Sequence, residues 1–169
     1  VEAVLATAAK QVEAGEEVLA HVTAWERESN QCHVIACPWS NEQEKSYALR
    51  MITLFFLWKG VDRYIILSEA WMVTRSAEQF KEHRGPVSEE PDHQEVIVVN
   101  GVGPDGVLGA MMPIVRDGSV AAVGPVQWND VAGGRLLQLL PPPHIKPSPA
   151  EMAALGEMFR GAQFMRVPL

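Results

Sequence analysis

The sequence predicts an α+β fold of two layers: an antiparallel meander of about four strands, with two N-terminal helices and one C-terminal helix covering one face of the sheet. Three observations carry this. Apolar residues recur at spacings of three and four in two early segments and one late segment. Between them lie strand-like runs separated by Gly, Pro and Asp turns, and a run of helices and a run of strands, rather than their alternation, is the order of an α+β domain. No internal repeat divides the 169 residues, a length suited to one domain with a sizeable core, so residues 1–169 are read as a single unit.

Taken in order, Leu5, Ala8, Val12, Gly15, Leu19 and Val22 fall on one helical stripe, with Lys10, Glu13, Glu16 and Glu17 between them. That is an amphipathic helix packing one face on a core; Gly15 at a seam position argues against a coiled coil. Ser29 to Trp39 is a connection holding a short extended piece at Cys32 to Ala36. Ser40 is read as the N-cap of a second helix from about Asn41 to Trp58, with Gln43 completing a capping box. Its stripe is Tyr47, Met51, Leu54, Phe55 and Trp58, widened by Ile52, Phe56 and Leu57, and Lys59-Gly60 ends it.

Arg63 to Thr74 reads as a strand that is apolar on both faces. Ile65, Leu67, Glu69, Trp71 and Val73 share one side, and Tyr64, Ile66, Ser68, Ala70 and Met72 the other. A charged loop from Ser76 to Gln94 follows. Then come strand-like Glu95 to Asn100, a Gly103-Pro104-Asp105-Gly106 turn, Val107 to Arg116, the hairpin signal Asp117-Gly118, and Ser119 to Trp128. Pro113 and Pro125 lack an N–H and belong at a bulge or on an outer strand, with the Pro125 strand as the edge. After the short apolar run Leu136 to Leu140 and a polyproline-like link, Ser148, Pro149 and Glu151 announce a helix striped by Met152, Leu155 and Phe159 and ended by Gly161.

Composition excludes several classes. A formal net charge of −7 opposes general binding of nucleic-acid backbones, which requires clustered Lys and Arg. The most apolar tract, Ala48 to Trp58, is interrupted by Arg50 and is well short of the ~20 residues of a membrane helix. The first ten residues lack the order of a signal peptide, and the missing initial Met points to a start upstream or to processing. Two cysteines, Cys32 and Cys37, are too few for a disulfide scaffold and suit a reducing cytoplasm.

Glu69 is the residue that needs explaining, because an unpaired charge in an apolar strand costs several kcal/mol, roughly. One reading is a general acid or base raised by burial, with His93 or His83 assisting; the other is a structural ion pair with Arg50, Arg75 or Arg84. The loop His83 to Glu95 gathers two imidazoles and four carboxylates, but without metal-ligand spacing, and Cys32-His33 with Cys37 lacks a second cysteine pair. No metal or cofactor is therefore expected. Gly101 to Gly106 leads into a strand and lacks the phosphate-loop ending, and Ser68 lacks a nucleophile elbow. Trp58, Trp71 and Trp128, with Met111 and Met112, are candidates for the wall of a ligand pocket or for plain core. Met111 and Met112 point to opposite faces, and so much apolar surface favours a homodimer.

Ser68-Glu69-Ala70-Trp71-Met72, followed by Pro91-Asp92-His93-Gln94-Glu95-Val96, resembles a group of uncharacterised bacterial, archaeal and phage proteins with a Ser-Glu-Ala-Trp strand, a domain of unknown function. His93 and Gln94 stand where that group carries arginine. The resemblance covers Tyr64 to Val99 and implies that Glu69 and the Pro91–Glu95 stretch form one structural unit, with no activity attached. The expectation is a non-enzymatic cytoplasmic accessory or assembly protein acting through protein contacts. The alternative is a small enzyme or ligand-binding protein using Glu69 with a loop histidine. A Glu69 bonded to an arginine or to backbone donors, with no cavity beside it, removes the enzyme; a pocket exposing it beside a histidine removes the structural tie.

Overall fold

The computed structural model describes residues 1–73, 76, 78, 87, 91–118, 120–129, 137–142, 145–160 and 165–167. Among these are three helices, α1 (Glu2–Glu13), α2 (Glu42–Lys59) and α3 (Pro149–Met158). Eight strands accompany them: β1 (His21–Glu26), β2 (Cys32–Ala36), β3 (Val61–Met72), β4 (Gln94–Gly103), β5 (Gly106–Asp117), β6 (Val120–Val123), β7 (Gln127–Asn129) and β8 (Met165–Val167). All the pairings are antiparallel and run in the order β6-β5-β4-β3-β1-β2-β8, with β7 joined to β5.

The class is as expected, α+β with an antiparallel sheet, but the sheet has twice the expected strands. Three causes account for the extra strands apart from β8, which follows the last helix. The first helix stops early: Gly15 takes φ +74°, a left-handed conformation that breaks the stripe, and Val22 lies in β1 rather than in a last helical turn. The extended piece at Cys32–Ala36 is a full strand, β2, paired with β1 and also with β8. Finally, the run expected from Ser119 to Trp128 is cut by Gly124-Pro125-Val126 into β6 and β7, which share the outer edge of β5.

Pro113 sits at that cut. Its carbonyl accepts from the Gly124 N–H at 2.7 Å, so its missing N–H faces the junction between β6 and β7, where no ladder bond is needed.

The helices cover both faces of the sheet, not one, and this explains the two apolar sides of β3. On one side Leu5, Ala8 and Val12 of α1, with Val18, pack on Leu67, Ile97, Val99, Ala110, Met112, Ile114 and Ala121. On the other, Leu49, Ile52, Phe55 and Phe56 of α2, with Leu155 and Phe159, pack on Val22, Ala24, Val61, Tyr64 and Ile66. The buried stripe of α2 is rotated from the expected one, and Tyr47 is exposed. The cap also moves by one residue: Asn41 Oδ1 accepts from the Glu44 N–H at 2.9 Å, while Glu44 Oε2 accepts from the Ser40 N–H at 2.7 Å.

Gly60 (φ +62°) ends α2 as expected. The Ser148/Glu151 capping box opens α3, whose last turn is closed by Phe159; the predicted stop at Gly161 and the residue Leu136 lie outside the described residues. Among the described residues no helix is long and apolar enough to cross a membrane.

Candidate functional site

Strand register assembles the Glu69 site. Glu69 pairs across with Ile97, which pairs with Met112, and Trp71 pairs with Glu95. Of the two methionines, Met112 is therefore the one on Glu69's side, and it is buried. The Gly103↔Gly106 turn registers Val96 with Pro113, which brings Ile114 and then Arg116 alongside Glu95 on the same face.

The carboxylates have different partners. Glu69 Oε1 accepts from the backbone N–H of Val18, in the connector between α1 and β1, at 3.2 Å. Glu95 receives Nε and Nη2 of Arg116 in a two-pronged bond, both at 2.6 Å, and it also lies in hydrogen-bonding reach of Glu69. Burial pushes the Glu69 carboxyl above its ordinary range; the Val18 N–H and Arg116 pull it down, and the charges of Glu95 and Glu17 push it up. The hydrogen bonds of Arg116 hold Glu95 below its ordinary range against burial, helped by the charge of Arg116, by Glu69 and by His93.

The His93 ring meets the Trp71 ring edge-on, with centroids 4.6 Å apart. The expected neighbours Glu69, Trp71 and His93 are thus gathered at one end of β3. His83, Arg75 and Arg84 lie outside the described residues, and Arg50 is on α2, across the sheet from Glu69. Arg116, which reaches Glu69 through Glu95, was not among the expected partners. Counting residues back from the Gly103–Gly106 turn would have found it, since that turn fixes which residues of β4 and β5 face each other.

The three tryptophans do not form one wall. Trp58 stacks on Phe159 on the α2 side at 5.5 Å, whereas Trp71 and Trp128 are on the opposite face, on β3 and β7, with β4 and β5 between them. Two clefts of about 510 Å³ each lie away from Glu69. One is lined by Glu26, Ser29, Trp58, Lys59, Pro141 and Lys146, among others. The other, beside Val1, is lined by Trp25, Arg63, Ile65, Gly101, Gly103 and Leu108.

Behind the first cleft is a polar cluster that the sequence reading passed over. Glu26 accepts from the Ser29 hydroxyl, meets His33 Nε2 at 2.9 Å and lies 3.7 Å from Lys59 Nζ. Burial pushes Glu26 up, but Ser29, His33 and Lys59 together hold it below its ordinary range. His33 is 2% exposed and edge-on to Phe55, so it braces β1 against β2 and α2. Cys32 and Cys37 are both free and buried; burial raises both thiols, Cys37 to about 11, which keeps it protonated. Among the described residues no three His, Cys, Asp or Glu side chains gather to hold a metal.

No family model, no curated protein and no solved structure matches the chain.

Proposed function

We infer that the chain is a non-enzymatic accessory or assembly protein that works through protein contacts, and that it self-associates through the α1 side of its sheet. One observation carries this reading: the cross-strand row Leu108, Gly101 and Ile65, over β5, β4 and β3, lines a largely apolar groove, and the row continues through Thr23 of β1 to Val34 of β2. Gly101 has no side chain to fill the row, Leu108 is 37% exposed, and Trp128, one strand away, is 49% exposed. A tryptophan and aliphatic groups left in water around a concave floor are the composition of an interface core. A second copy presenting the same face would bury them in a two-fold pair.

Light scattering over a concentration series tests it. The wild-type chain is expected to run as a dimer and the Leu108→Glu/Trp128→Glu double variant as a monomer with an unchanged circular dichroism spectrum. A wild-type monomer at high concentration overturns self-association.

A second reading, with Glu69 as acid or base beside His93, is favoured by the two carboxylates pushed in opposite directions, a pattern that divides acid from base roles in active sites. Against it, Glu69 is tied to a backbone donor, and the two larger clefts are elsewhere. Glu69→Ala separates the readings. As a structural tie it leaves the Val18 N–H unmatched, which costs about 1–2 kcal/mol. An unchanged melting temperature counts for the acid–base role.

A further inference from the structure

The start of β3 is irregular, and the irregularity leaves one acid outside the ladder. Trp25 pairs with Arg63 and Glu26 with Val61, so Asp62 is the extra residue of a bulge and faces no residue of β1. Bulges of this kind re-aim a side chain. The Asp62 side chain is only 14% exposed, yet among the described residues neither of its oxygens receives a hydrogen bond. Oδ1 is buried with no partner, and Oδ2 lies 3.7 Å from Arg27 Nε, beyond hydrogen-bonding distance, with the Arg27 side chain 68% exposed. Native folds rarely withdraw a carboxylate from water without giving it a donor.

Asp62 lines a further cleft, of about 500 Å³, within the size range of small-molecule sites. The wall of that cleft is poor in donors for a reason written in the sequence: Pro104, Pro141 and Pro142 form part of it and have no N–H, and the Arg27 N–H is already taken by the Gly60 carbonyl at 3.0 Å. We propose that Asp62 anchors a binding site for a small ligand with a primary ammonium group on an apolar stem. The ammonium brings three N–H donors and the opposite charge, whereas an anion would meet the carboxylate head-on and a neutral donor would leave its charge unmatched. The terminal torsion of an aspartate is soft, so either oxygen can turn to the ligand. The stem lies along the proline rings. It has room to extend, because Arg27, Val61, Pro141 and Pro142 are also walls of the cleft that holds Trp58. Arg27 is the competing cation, and its guanidinium stands mostly in water. The site is separate from the self-association reading, since Asp62 is not a wall of the groove beside Val1.

The test is a titration of hexylammonium into the nitrogen-15-labelled full chain, followed by amide shifts at Asp62, Gly103 and Leu140. Hexanol, which keeps the stem without the charge, and hexyltrimethylammonium, which keeps the charge without an N–H, are the controls. Hexylammonium is expected to give saturable shifts at millimolar concentration, and both controls to bind at least about tenfold more weakly. Asp62→Asn, close in shape and uncharged, is expected to lose about the same factor while its melting temperature holds or rises, because it no longer buries a carboxylate without donors. Arg27→Ala removes the competitor and is expected to bind as well as wild type or better. No saturable shift, equal binding of hexanol, or wild-type affinity in Asp62→Asn would each overturn the site. A matched fall in melting temperature in Asp62→Asn and Arg27→Ala would also overturn it, by showing that the two residues serve each other as a structural ion pair.

Discussion

Glu69 is accommodated by three unlike groups: a backbone N–H, a second carboxylate and, through it, a guanidinium. Their effect on stability has opposite signs at the two acids. Glu69 is raised in the folded chain, so its contribution is fully present below its unfolded pKa and is lost as pH rises through the folded value. Glu95 and Glu26 are lowered, so theirs is present above the unfolded pKa and is lost as pH falls through the folded values. Denaturant melts of Glu69→Gln are expected to match wild type in acid and to equal or exceed it at neutral pH. A Gln variant that loses stability only at neutral pH would show that the charged form is the one the fold favours. His33→Ala is expected to cost about 2–4 kcal/mol, because it opens a cavity against Phe55 and leaves Glu26 without its buried donor; a loss below about 1 kcal/mol would deny His33 its bracing role. Glu69 stood out in the sequence because a charge in an apolar strand is conspicuous. Val18 and Arg116 did not, because one acts through its backbone and the other lies a strand beyond.

Among the elements, legibility followed the strength of local signals. The α3 capping box, the Gly60 stop and the hairpin at Gly103–Gly106 are dictated by chemistry within four residues, and each is where it was expected, while the hairpin expected at Asp117-Gly118 turns one residue later, with Asp117 paired to Val120. β1 was hidden because Leu19 and Val22 continue the spacing of α1 by coincidence, and only the positive φ of Gly15 reveals the break. At α2 the side chains Ser40 and Asn41 are both competent caps, so sequence alone could not choose between them. Asn41 holds the Glu44 N–H, and Asn41→Ala is therefore expected to cost about 1 kcal/mol in a thermal melt. Ser40→Ala should stay within about 0.5 kcal/mol, since Ser40 contributes its backbone N–H to the box. A larger loss at Ser40 would return the cap to the residue the pattern first suggested.

At the scale of the whole molecule, the sheet is a shared wall between two cores, and neighbouring residues of β3 belong to different ones. Ile66 packs under α2 and Leu67 under α1, both about 1% exposed. The two apolar faces of this strand were legible in the sequence; which helix covers which face was not, because it depends on register across β4 to β6 and on the early end of α1. If the wall couples the cores, Ile66→Ala and Leu67→Ala each cost about 2–5 kcal/mol and lower one common unfolding transition. The coupling has a physical basis, since loosening either core exposes backbone bonds of β3 that the other needs for its own packing. Calorimetry and tryptophan fluorescence should therefore give the same midpoint in both variants, because Trp58 reports on the α2 side and Trp71 on the α1 side. Two transitions, each moved by only one of the substitutions, would mean that the layers fold independently on a sheet that merely touches both.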